Sequence, residues 1–145
     1  MVWTKIDTAL NREEIAKIGR RAQDMQPEFK MSPAGKRVEF IFTVKIDPDG
    51  DGVRDRYVRV VDWLRNFKST NTDPGSRYAR TFTIETCARK KFRCNELILE
   101  EHADGRSVRI NDIGYEVFVG SFLGGAAEQI ALVNRSGAVT LFQHE

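Results

Sequence analysis

Two histidines, two cysteines and four prolines among 145 residues leave little room for several kinds of chemistry. A Ser-His-Asp or Cys-His arrangement would have to take His102 or His144 as its base. His102 stands among Glu100, Glu101 and Asp104 at the end of a predicted strand, and His144 lies in the terminal tail. Cys87 and Cys94 are seven positions apart, with the nearest histidine eight residues further on, which is not a metal-ligand spacing. On one regular strand an odd separation sends the two side chains to opposite faces, where no bridge forms; a turn between them would change that. They read as small buried apolar residues. No run approaches the ~20 apolar residues of a membrane-crossing helix, and Gly120 to Gly125 lacks the Lys-Ser/Thr ending of a phosphate-binding loop. The opening MVWTKIDTAL is not a secretion signal. The expected compartment is therefore the cytosol if Met1 is the native start, and the envelope or exterior if a leader was removed.

What is present suffices for one core: 41% of the residues are hydrophobic, and the chain reads as a single domain over 1–145. The net charge of +2 conceals a polarity. Residues 1–53 sum to 0, residues 54–93 to +7 and residues 94–145 to −5. Such a distribution either builds a basic face for an anionic partner or is neutralised when strands from the two charged thirds pair.

The predicted fold class is α+β: an N-terminal helix packed on a curved antiparallel sheet, or partial β-barrel, of seven to eight strands. The helix is expected over 11–25. Asn11 caps it and Glu14 reaches back. Ile15, Ile18, Ala22 and Met25 form one stripe, and only Gly19 opposes it, by about 1 kcal/mol. Strands follow from period-two alternation. Val38, Phe40, Phe42, Val44 and Ile46 share one face, with Ile41 on the other. Arg56 to Phe67 reads as a strand buried on both faces or a short helix, its β-branched and aromatic content favouring strand, and Arg77 to Cys87 is a strand with Phe82 and Ile84 pointing one way. Leu97 to Glu101 and Ser107 to Ile110 flank the turn pair Asp104-Gly105. Tyr115 to Leu123 is a further strand, and Ile130 to Val133 and Ala138 to Phe142 flank Asn134 to Gly137.

The sharpest motif is Asp47-Pro48-Asp49-Gly50-Asp51-Gly52-Val53-Arg54-Asp55. Calcium takes six to eight oxygens, and this spacing aims Asp47, Asp49 and Asp51 at one centre, with the Val53 carbonyl and Asp55 completing the shell. The twelfth position of an EF-hand loop is Val58 here rather than Glu, and the flanks are strands, so the motif reads as a calcium-stapled hairpin or as an ordinary solvated turn. The cofactor expectation is accordingly none, or Ca2+ in a structural role. A second cluster, Arg77, Arg80, Arg89, Lys90, Lys91 and Arg93, interleaves cations with Tyr78 and Phe92 in the manner of single-stranded nucleic-acid surfaces.

Residues 57 to 93 resemble the surface-adhesin protein E family of small β-rich bacterial envelope proteins. The residues that carry the likeness are Trp63 in a strand, Glu85 and Cys87 ending the next, and the run Lys91-Phe92-Arg93. The resemblance implies an envelope location and an adhesive role. The N-terminal helix and the Gly124 to Phe142 region have no counterpart in that pattern. Together these features predict a non-enzymatic binding or structural module of envelope or assembly type, with a protein partner or self-association. The alternatives are a basic-faced nucleic-acid-binding domain and a hydrolase with a carboxylate pair.

Overall fold

The computed structural model describes residues 2–32, 37–67, 77–104 and 114–144. In chain order its elements are β1 (Trp3–Ile6), α1 (Arg12–Ile18), β2 (Arg20–Arg21), a 3₁₀ turn (Ala22–Asp24), β3 (Glu28–Met31), β4 (Arg37–Ile46), β5 (Arg56–Phe67), β6 (Arg77–Arg89), β7 (Phe92–Asp104), β8 (Glu116–Gly120), β9 (Gln129–Val133) and β10 (Val139–His144). The described strands form two five-stranded antiparallel sheets, ordered β1-β10-β9-β8-β2 and β3-β4-β5-β6-β7. The β-rich, antiparallel expectation holds, whereas the single sheet of seven to eight strands is corrected. The additional strands β1, β2 and β3 are two to four residues long, too short for alternation to register in a sequence window.

The two sheets pack face to face. Val44, Ile46, Val58, Val60 and Ile84 of the second sheet meet Val117, Val119, Ile130, Leu132 and Phe142 of the first in one core. The intervening residues of the first sheet, Phe118, Ala131, Val133 and Leu141, point the other way and are covered by Ile15 of α1 together with Phe122. The first sheet is thus buried on both faces, which is why Gln129–Val133 carries no exposed position.

The helix is shorter than the predicted 11–25. Its start is as expected: the Glu14 amide donates to the Asn11 side chain at 2.9 Å and the Asn11 amide to Glu14 at 3.2 Å. It stops at Gly19, where the chain turns extended and Arg20 and Arg21 pair with Val119 and Phe118. The cause is a close approach. A Cβ on Gly120 would lie 2.9 Å from the Gly19 Cα, and one on Gly19 would lie 2.7 Å from the Phe122 ring. The glycine that weakens the helix is therefore the contact that docks β2 on β8. Of the predicted stripe, Ile15 is fully buried and Ile18 is 48% exposed.

In the second sheet, the strand read over Arg56–Phe67 is present. Leu97 to Glu101 pair with β6 inside the longer β7, while the predicted partner 107–110 lies outside the described residues. The turn that brings β6 and β7 together falls at Lys90 and Lys91, so Cys87 and Cys94 stand directly opposite each other and form a disulfide. This corrects the reading of two separate apolar residues, because the seven-residue separation spans a hairpin rather than one strand. By loop-closure entropy, a bridge over so short a loop contributes about 2.5 kcal/mol. The Cys87→Ser/Cys94→Ser variant is expected to lose about that much in urea unfolding; a wild-type midpoint unmoved by reductant would contradict it. Lys91 also reaches Glu28 on β3, 3.4 Å away, although β4 and β5 separate β3 from β6. The second sheet is therefore strongly curled, and Ile41 on its outer face is buried.

Candidate functional site

Three places on the molecule concentrate functional groups. The first is the acidic β4–β5 loop. The Asp47, Asp49 and Asp51 carboxylates lie within 4.8 Å of one another. Asp55 stands outside that group, and Val53 donates its amide to Asp51 at 2.8 Å. Both Asp47 oxygens are engaged, one by the Gly50 amide at 3.0 Å and the other by the Gly52 amide at 2.8 Å. Gly50 and Gly52 supply the left-handed backbone, with φ of 75° and 87°, that aims those amides inward. Burial pushes the Asp47 carboxyl up, but the Gly52, Asp49 and Gly50 hydrogen bonds outweigh it and hold the group below its ordinary range. Asp49 is raised, first by its hydrogen bond to Asp47 and then by burial.

This loop is anchored by a residue the sequence did not single out. Glu128, buried at the start of β9, accepts from Arg20 at 2.7 and 3.2 Å, from Arg54 at 3.2 and 3.4 Å, and from the Asp47 amide at 2.9 Å. Its own amide donates to the Asp47 carbonyl at 2.8 Å, and Arg20 also donates to the Lys45 carbonyl. One carboxylate thus ties β2, the end of β4, the acidic loop and β9 together. Burial pushes the Glu128 carboxyl up; the Arg20 and Asp47 hydrogen bonds, the Arg20 charge and Arg54 pull it further down, so it sits below its ordinary value.

The second place is a cleft of about 510 Å³ between the sheets, bordered by Arg12, Asp62, Arg80, Tyr115, Glu116 and Arg135. Most of its charges are matched. Arg80 grips Asp62 through two bonds of 2.9 and 2.8 Å, and Glu116 receives Arg12 at 2.6 and 2.8 Å and Arg21 at 3.0 Å. The Arg12 hydrogen bond leads the causes that hold Glu116 below the ordinary carboxylate range, the opposite of what a general acid needs. Tyr115 is pushed up to about 12 by its hydrogen bond to Glu100, by burial and by that residue's charge.

The third place is the open end of the second sheet. On its core-side face the rows run Val44, Val58 and Thr86, then Phe42, Val60 and Ile84, then Phe40, Asp62 and Phe82, then Val38, Leu64 and Arg80. Cover thins toward that end: Phe40 in the third row and Leu64 in the last are each 39% exposed, although Phe82 is buried and Arg80 lies in the cleft. The edge strand β3 extends this surface. All four of its residues are exposed, with Phe29 paired to Phe40 and Met31 to Val38, and the Phe29 and Phe40 rings lie 5.2 Å apart. The only signal in the sequence was the brief alternation Glu28-Phe29-Lys30-Met31, inside a stretch that reads as a connection.

The predicted basic cluster is divided. Arg89, Lys90, Lys91 and Arg93 sit at the β6–β7 turn with Phe92, which is 70% exposed. Arg77 begins the same strand at its other end, its side chain outside the described residues, and Arg80 faces the cleft. The His102 side chain is likewise outside the described residues, and His144 packs edge-on against Trp3, with ring centroids 5.5 Å apart. Compared with known proteins, the chain matches no family model, no curated protein and no solved structure.

Proposed function

We propose that the chain is a non-enzymatic protein-interaction module that meets its partner through the open end of the second sheet. The observation that carries this reading is the edge strand β3, whose half-exposed Phe29 and Met31 line up with Phe40 and, through Val38, with Leu64 in one apolar surface. Contiguous exposed apolar surface of this kind marks interaction sites, and an edge with no neighbouring strand among the described residues adds a row of backbone donors and acceptors. The cross-strand disulfide belongs with an oxidising compartment, which supports the envelope setting implied by the resemblance at Trp63, Glu85, Cys87 and Lys91 to Arg93.

Phe29→Asp is expected to lower the melting midpoint by no more than a few degrees, because the ring is half exposed and its aromatic neighbour among the described residues is Phe40, while abolishing capture of a partner by the immobilised chain. Equal capture by wild type and variant would overturn the reading. The same reading gives the acidic loop a structural ion. Asp47, Asp49 and Asp51 would hold Ca2+, with the Val53 carbonyl and water filling the remaining positions. A midpoint that climbs with the logarithm of calcium concentration and falls back with chelator is the expected result; one that stays put removes the ion.

A further inference from the structure

We infer that the partner at this open end is a second copy of the chain, joined through β3 in a two-fold antiparallel pairing centred on Phe29. This deepens the interaction reading above and rests on it. The first support is the direction of the backbone. Ser32 donates its amide to the Arg37 carbonyl at 3.0 Å, and the register runs Met31 to Val38, Lys30 to Glu39, Phe29 to Phe40 and Glu28 to Ile41. Because bonded and non-bonded pairs alternate in an antiparallel ladder, Lys30 and Glu28 turn their amides and carbonyls toward β4. Phe29 and Met31 therefore turn theirs away from β4, to the side where no strand lies among the described residues. Placing Phe29 opposite Phe29 of the second copy makes a hydrogen-bonded pair. It also lets each Met31 amide donate to the carbonyl of Pro27, which as a proline returns no amide bond to the Met31 carbonyl.

The second support is charge. In the pairing centred on Phe29, each Glu28 stands opposite Lys30 of the other copy, twice by symmetry. Centring on Lys30 sets ammonium against ammonium, and centring on Glu28 sets carboxylate against carboxylate. A register displaced by one residue sends the apolar side chains of the two copies to opposite faces. Only the Phe29 register joins opposite charges and keeps the aromatic rows on one side. Within the monomer Lys30 stands across from Glu39, whose carboxylate Arg37 also approaches at 3.6 Å, and among the described residues Glu28 is held by the exposed Lys91 at 3.4 Å, a contact worth little in water. The pairing thus gives each of these exposed charges an opposite charge across the axis. It joins the two second sheets edge to edge and brings the Phe29–Phe40 rows of both copies together.

The test is sedimentation velocity over micromolar to millimolar concentrations of the whole chain. The wild type should shift from 16.6 kDa toward twice that mass. Glu28→Lys alone and Lys30→Glu alone should each weaken the dimer by about tenfold, since each variant faces like charges across the axis. An equimolar mixture of the two variants should recover it, because the hybrid restores both opposite-charge contacts. A cooperative melting transition in each variant shows that it folds. A wild type that stays monomeric at every concentration overturns the self-pairing, as does a dimer indifferent to both charge reversals or one not recovered in the mixture. If the wild type is monomeric while Phe29→Asp still loses a captured protein, the interaction reading stands and only the choice of partner falls.

Discussion

Glu128→Ala is expected to destabilise the chain by about 3 kcal/mol, roughly a 10 °C fall in melting midpoint for a domain of this size. The variant strands Arg20 and the Asp47 amide, which lose their shared acceptor at the seam between the sheets. Removing one partner of a buried ion pair typically costs about 3–5 kcal/mol. The lower end applies because the Arg20 and Arg54 side chains keep some contact with water. Arg54→Ala should cost well under 1 kcal/mol, as its side chain is largely exposed. The two results together separate a buried hub from a surface ion pair; equal losses would show that the hub is not organised around Glu128.

The same carboxylate gives stability a pH dependence. Its pKa in the folded chain lies below the ordinary 4.5, as does that of Glu116. The unfolded chain therefore takes up protons first as the pH falls. The contribution is fully present above about pH 4.5 and is lost as the pH drops through the lower folded-state values. Glu128→Gln should flatten the fall in urea midpoint between about pH 5 and pH 3. A slope unchanged from wild type would contradict the assignment.

Ile15→Ala is expected to cost about 3 kcal/mol, and Ile18→Ala less than about 0.5 kcal/mol. Both residues belong to the same predicted stripe. Ile15 fills the space between α1 and the first sheet against Phe118, Phe122, Ala131, Val133 and Leu141, and truncation leaves a cavity that the rigid sheet beneath the helix cannot close. Ile18 stands at the helix end with nearly half its surface in water, and alanine's better helix propensity offsets part of what it loses. Chemical denaturation of the two variants measures the difference directly. Comparable losses would mean that the helix packs along its whole predicted face.

The sequence alone determined the elements whose signals are local. Asn11 and Glu14 specify the helix start because capping needs only neighbours along the chain. Period-two alternation placed β4 and β6 and put Phe82 and Ile84 on one face, and β-branched and aromatic content favoured a strand for β5. The acidic spacing likewise showed that Asp47, Asp49 and Asp51 can converge. Tertiary structure decided the rest. Gly19 reads as a weak helix residue until Gly120 and Phe122 are seen pressed against it, and the helix ends there instead of running to Met25. Cys87 and Cys94 pair because the turn falls at Lys90 and Lys91, and turn position depends on which strands find each other. Glu128 becomes a hub only through Arg20, 108 residues away in sequence. The exposure of Phe29 and Met31 follows from where the first sheet stops covering the second. None of these can be read from periodicity, since each is set by the meeting of segments far apart in the chain, and the apolar burial that drives that meeting has no direction along the sequence.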